Sequence, residues 1–362
     1  MRLKSQAERF YMPELDTLRF FAFLGVFLLH SFEVRDFGNL PRFLAPAAMY
    51  TVQAGMFGVD LFFLLSSYLI TSLLLREHSA TGMIDIPGFW IRRCLRIWPL
   101  YFFAVGVGGF LFPAIFHFVA SPDHVYVVGL LTFTQNWSAA FSDIGGGNPT
   151  LVLWSVSIEE QFYFIWPILI VMAGVKRLRP IAIAMIIISS VARLCAIHAG
   201  ASWNMLWYAT PLRLEPLAAG ALIALAGNQQ PKFNVTIRAG MLCAGIAIPV
   251  LCMVQWIDSK WFETARFPLA TAGCSLIFLA VRGWTSKFLT SRPLVYLGKI
   301  SYGLYVFHAL ALAFSPRINI GIPHTIVAFI LTVIFAAVSY RWLELPFLRL
   351  KDRFAHVQSR PA

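Results

Sequence analysis

The chain alternates long apolar runs with short clusters of charge. A helix needs roughly 17 to 25 residues to cross about 30 Å of hydrocarbon. Runs of that length predict ten helical spans, at about 17–34, 56–75, 98–118, 158–174, 180–198, 205–226, 240–257, 266–282, 298–316 and 322–344. The spacing of cations between them is regular: Arg2, Lys4 and Arg9 precede the first run, Arg76, Arg92, Arg93 and Arg96 separate the second from the third, and Lys176, Arg177 and Arg179 separate the fourth from the fifth. Lys232 and Arg238, Lys287 and Arg292, and Arg349, Lys351 and Arg353 continue the series at every second connection. Because Lys and Arg accumulate in short cytoplasmic loops, both termini are predicted to be cytoplasmic. The expected fold is an all-α, polytopic integral membrane helical bundle of about ten transmembrane helices.

Composition agrees with this pattern. The 362 residues are 59% hydrophobic and only 13% charged, with a mean hydropathy of +0.71, well outside the range of soluble domains. The net charge of +12 then reads as anchoring against anionic headgroups rather than as a nucleic-acid footprint. The basic start followed by an apolar run is not a cleaved signal, since His30, Ser31 and Phe32 stand where small residues would be needed. Cys94, Cys195, Cys243, Cys252 and Cys274 lie mostly in apolar runs without ligand spacing, so neither a disulfide nor a metal site is expected. The run His124 to Trp137 is too short to span and is expected to be re-entrant or interfacial on the outer side, with a flexible turn at Gly145, Gly146, Gly147, Asn148 and Pro149. The organisation expected is one membrane domain over 1–350 and a short basic cytoplasmic tail over 351–362, with no appended soluble domain.

Titratable residues inside apolar runs cost free energy and mark function by default. Arg19 and His30 are separated by ten uncharged residues, about 16.5 Å along a helix, which puts Arg19 near the cytoplasmic boundary and His30 in the outer half. Asp60, in Gly58-Val59-Asp60, is expected at the same depth as His30 on the next helix. It is either the partner that fixes the imidazole tautomer or a helix cap. Arg92, Arg93 and Arg96 share one region of a helix surface and suit either phosphate oxygens or interfacial anchoring. Ser157 and Glu160 have the spacing of a capping box, leaving Glu159 for an acceptor or a cationic partner. Arg213 and Glu215 face different ways and each needs a partner elsewhere. Tyr302, Tyr305 and His308 form one stripe at helical spacing.

In their order along the chain these residues resemble the acyltransferase 3 family of bacterial membrane O-acyltransferases. The likeness rests on Pro13 to Arg19 running on to His30, Gly58 to Phe63, Arg93-x-x-Arg96, Trp154 to Tyr163, Ser301 to His308 and Tyr340 to Phe347. One departure is Ser66-Ser67-Tyr68, where the family usually has Ser-Gly-Tyr, which puts a close helix contact in question. The resemblance implies transfer of an acyl group, commonly acetyl, from acyl-CoA to a hydroxyl of a cell-envelope or secreted carbohydrate by a multi-pass protein of the bacterial inner membrane. It also implies a domain without the soluble hydrolase-like extension of some relatives.

Carried onto this sequence, the resemblance makes Arg19, His30, Arg93 and Arg96 the residues required for activity. The expected catalytic pair is His30 and Asp60. Arg19, Arg93 and Arg96 are expected to bind acetyl-CoA or another acyl-CoA, and Glu159, Glu160, Arg213 and His308 to bind substrate. Membrane lipids and a carbohydrate or lipid-linked sugar are the expected partners, with no metal and no nucleic acid. The competing reading is a transporter or flippase for a lipid-linked sugar, which also buries His, Asp and Arg across a bilayer.

Overall fold

The computed structural model describes residues 10–32, 37, 41, 43–115, 124–142, 148–227, 233–254, 260–317 and 323–354. The turn expected at Gly145, Gly146 and Gly147, the basic residues before Phe10 and the tail beyond Phe354 lie outside these. Among the described residues every regular element is helical. The first half holds α1 (Pro13–Ser31), α2 (Ala45–Gln53), α3 (Gly58–Thr81), α4 (Ile86–Ala104), α5 (Phe112–Ile115), α6 (His124–Leu131), α7 (Gln135–Phe141) and α8 (Trp154–Ala173). The second holds α9 (Leu178–His198), α10 (Trp203–Tyr208), α11 (Glu215–Leu225), α12 (Val235–Leu251), α13 (Lys260–Val281), α14 (Arg292–Lys299), α15 (Ser301–Phe314), α16 (His324–Ser339) and α17 (Leu345–Lys351).

Six described helical stretches are long and apolar enough to cross a membrane, or seven if α14 and α15, bent by 71°, form one span. This supports a multi-pass membrane protein at a coarser count than ten. The shortfall has local causes. α1 carries Glu14, Asp16 and Arg19 in its first turns, the 205–226 region is broken into α10, a 3-10 turn and α11, and α12 has 17 residues. The 124–141 region forms two helices of eight and seven residues, α6 and α7, each too short to span. They turn sharply at Phe133, whose φ of 54° places it in the left-handed region.

α1 lies at the centre of the bundle, against α3, α13, α14 and α15. Its entry is set by Pro13 in the first turn, where the missing N–H costs nothing. α3 packs on both α1 and α11. Ser67 is buried there and its hydroxyl donates to the Leu217 carbonyl of α11, so the serine that departs from Ser-Gly-Tyr is accommodated by a hydrogen bond across the contact. α8 begins at Trp154 after a 3-10 turn over Leu151–Leu153. Ser157 is therefore interior and back-bonds to the Leu153 carbonyl at 3.5 Å, so the expected capping box does not form.

Gly298 of α14 sits where the Asp16 backbone of α1 passes, and a Cβ there would overlap the Asp16 carbonyl. Alanine is normally favoured over glycine inside a helix by about 1 kcal/mol, whereas overpacking costs about 1–3 kcal/mol. Gly298→Ala is expected to lower the thermal midpoint of the detergent-solubilised protein. A raised midpoint would rule out this close approach.

Candidate active site

A cavity of about 150 Å³ opens between α1, α3, α4, α8, α15 and α17. Among the described residues four cations line it, Arg19, Arg93, Arg96 and Lys351, against two acids, Asp16 and Glu159. Arg19 is tied to Asp16 at 3.3 Å. Arg93 lies over the Phe89 and Tyr163 rings, 5.4 and 5.8 Å from their centroids, and its buried Nε has no hydrogen-bond partner. Ser66 and Tyr163 lie beside Glu159, with the charges of Arg19 and Arg93 nearby. The α3 side of the wall is mostly apolar, with Val59, Phe62, Phe63, Leu69, Ile70 and Leu73, while Ser66, Ser155 and Ser301 add hydroxyls.

The three arginines of the α4 cluster part company. Arg93 and Arg96 line the cavity. Arg92 instead holds Glu77 at 2.8 Å and donates to the Phe354 carbonyl at 2.7 Å. Glu160 accepts from the Trp98 indole N–H at 3.0 Å. Of the two adjacent glutamates, Glu159 lines the cavity with the cations, whereas Glu160 does not line it and has one oxygen held by α4.

Tyr305 also lines the cavity, whereas His30 and His308 do not. The Tyr305 hydroxyl accepts from Ser155 at 2.8 Å and donates to the Val152 carbonyl at 3.0 Å. Its own carbonyl takes a hydrogen bond from Nδ1 of His308, one turn further along α15. His308 is fully buried, and its Nε2 lies 2.9 Å from Nδ1 of His30. The two rings stack with centroids 5.1 Å apart and planes inclined by 17°.

These contacts fix the tautomers of both neutral rings. A carbonyl only accepts, so the proton of His308 is on Nδ1 and its Nε2 carries a lone pair. His30 must then donate from Nδ1, which leaves its Nε2 unprotonated. His30 is exposed whereas its partner is not, so this basic nitrogen belongs to the accessible ring.

The pairing expected between His30 and Asp60 does not form. Asp60 is fully buried and binds Arg213 at 2.9 Å. The reason is the 3-10 turn Thr210–Arg213 between α10 and α11, which turns the guanidinium toward the start of α3, where its charge meets the carboxylate. Trp207 lies under the same guanidinium, 4.0 Å from the ring centroid. Asp60 makes no cap either, since the N-terminus of α3 has no side-chain hydrogen bond. Arg213, expected to bind substrate, is fully buried against Asp60 and does not line the cavity. Glu215 finds its partner in Arg193 of α9 at 2.7 Å and also accepts from the hydroxyls of Ser189 and Ser190 at 2.7 and 3.2 Å. Two residues of this arrangement escaped the sequence reading. Arg193 was hidden in the apolar run of α9, although a lone arginine mid-run is itself a signal, and Lys351 was assigned to a tail.

Among the described residues no group of His, Cys, Asp and Glu could hold a metal. The family model described as an acyltransferase domain matches residues 12–341. The chain belongs to the acyltransferase 3 family. Relatives include a Bacillus subtilis (strain 168) protein named "Putative peptidoglycan O-acetyltransferase YrhL", 31% identical over 95% of this chain and 56% of its own length. "O-acetyltransferase OatA" of Staphylococcus aureus (strain NCTC 8325 / PS 47) is 28% identical over 95% of this chain and 58% of its own. The chain thus spans a little over half the length of the curated relatives it matches. No solved structure matches it. The matched family gives no support to the transport alternative.

Removing one partner of a buried ion pair strands the other charge, at about 3–5 kcal/mol. Asp60→Ala is expected to lower the thermal midpoint sharply, while the Asp60→Leu, Arg213→Met double variant, which leaves no charge behind, loses much less. Equal losses in the two proteins would refute the pairing.

Proposed function

We propose that this protein is a membrane O-acetyltransferase that moves an acetyl group from acyl-CoA to a hydroxyl of a cell-envelope carbohydrate. The carrying observation is a cavity with a surplus of cations that Tyr305 also lines, the residue whose carbonyl holds the His308 ring against which His30 lies. A surplus of buried cations suits a polyphosphate donor, because each guanidinium offers a planar fork to phosphate oxygens. The apolar wall on α3 suits the thioester arm. The orientation inferred from loop charge puts the cations on the cytoplasmic side, where acyl-CoA is made, and His30 in the outer half. The names of the relatives, peptidoglycan among them, favour a glycan acceptor.

The reaction then follows from the tautomers. His30 Nε2 takes the proton of the acceptor hydroxyl as its oxygen attacks the thioester carbonyl. The imidazolium formed keeps its Nδ1–H bond to His308, whose own N–H is held by the Tyr305 carbonyl dipole, so positive charge on the pair is stabilised without a carboxylate. Collapse of the tetrahedral intermediate breaks the C–S bond, and the thiolate recovers the proton from Nε2. Glu159, among the cations, tempers their repulsion when no donor is bound.

With labelled acetyl-CoA and glycan acceptors, His30→Ala in the purified protein should lower kcat by about a hundred- to ten-thousand-fold and leave CoA affinity unchanged. His308→Ala should lower kcat by a smaller factor and displace the acidic limb of the pH profile. Wild-type turnover in His30→Ala would sink the general-base role. For the donor site, Arg93→Ala and Arg96→Ala should each weaken CoA binding, with a reduced salt dependence. Unchanged affinity in both would return these arginines to anchoring.

A further inference from the structure

Lys351 was expected to begin a solvated tail, but it is 8% exposed and lines the same cavity as Arg93 and Arg96. The chain is brought there by construction. α16 ends in a π-helical turn over Tyr340–Glu344, a form that is rare and often found at functional sites. Within it the Glu344 carboxylate accepts from the Ser339 hydroxyl at 3.1 Å. α17 then runs back against α4. Arg92 clamps the following turn through the Phe354 carbonyl at 2.7 Å while holding Glu77 at 2.8 Å. Lys351 is therefore positioned by contacts on both sides of it.

Its surroundings oppose its charge. Arg96 and Arg93 are close enough to repel it, and the acid it meets, Asp352, is 3.6 Å away with a side chain 53% exposed, too solvated to offset burial. Three cations converging on one small cavity cost free energy unless a multivalent anion shares them.

We propose that Lys351 is a phosphate-binding residue of the acyl-donor site, so that the C-terminal helix forms one wall of that site. This rests on the reading of the cavity as the acyl-CoA site. It adds that recognition of the nucleotide end involves three separate elements, α1 through Arg19, α4 through Arg93 and Arg96, and α17 through Lys351. The thioester arm is left to the apolar lining, Phe62 among it.

The test uses the full chain in detergent and in nanodiscs of neutral or anionic lipid, with CoA as the probe in calorimetry and with acetyl-CoA or acetyl-pantetheine as the donor in turnover. Lys351→Met should weaken CoA binding about tenfold, raise the KM for acetyl-CoA without changing kcat, and leave the KM for acetyl-pantetheine unchanged, since that donor lacks the nucleotide phosphates. Lys351→Arg should keep wild-type affinity. The midpoint of Lys351→Met should not fall, because a repelled cation has been removed; should it fall, Lys351→Gln provides a second comparison. If the wild type fails to bind CoA, the cavity reading itself is wrong. If the wild type binds CoA and both neutral variants bind it equally well, the assignment of Lys351 alone is overturned. A midpoint that depends on anionic lipid and on Lys351, with unchanged CoA affinity, would make the residue a headgroup anchor and would overturn the proposal too.

Discussion

The cost of holding charge away from water organises this molecule. An ion buried in an apolar bundle is tolerated when a counter-charge and hydrogen bonds replace its hydration, and most deeply buried charges here obey that rule pair by pair. Asp60 is matched by Arg213, and Glu215 by Arg193 with two serine hydroxyls. These pairs tie α3, α9 and the broken α10–α11 region together. The cavity departs from the rule, with Arg19, Arg93, Arg96 and Lys351 set against Asp16 and Glu159. Arg238 and Arg282 are also buried without a carboxylate, but backbone carbonyls hold them, whereas several cations converge on the one cavity, an arrangement that suits an anion.

The same economy governs the histidines. The contact His30 makes is to a fully buried imidazole and not to a carboxylate. The protein thus orients His30 through a second imidazole and a backbone carbonyl, neutral groups whose donor and acceptor roles allow one arrangement. Tyr305 links this relay to the cavity, since its ring faces the donor space while its carbonyl holds His308. The proposed phosphate end and the proposed base therefore share a helix-borne residue, which gives α15 its place beside α1.

Much of this was legible in the chain. The apolar runs announced helices, the described parts of the expected spans are largely helical, and the run from His124 to Trp137 was recognisable as too short to span. The arginines at 93 and 96 stood out as a cluster in one connection, and the histidine at 30 as a titratable residue in an apolar run. The start of α8 was misread because a 3-10 turn moved it upstream of Ser157. Asp60 was misassigned because predicted depth gives a position along the membrane normal but not the direction in which a side chain points. Arg213 arrived there through a turn that hydropathy does not record.

The sequence by itself determined that the chain is helical and apolar, that it carries a defined series of buried polar residues, and that these resemble one family. These properties are local: hydropathy, charge and spacing act residue by residue along the chain. Only the tertiary structure decided the partners. It joined His30 to His308 across 278 positions, gave Asp60 to Arg213, and brought Lys351 from the far end of the chain to the arginines of α4. Pairing depends on which helices are neighbours and how each is rotated, and that is fixed by close approaches such as Gly298 against Asp16 and by buried ion pairs such as Asp60 with Arg213, neither of which leaves a mark in any single segment.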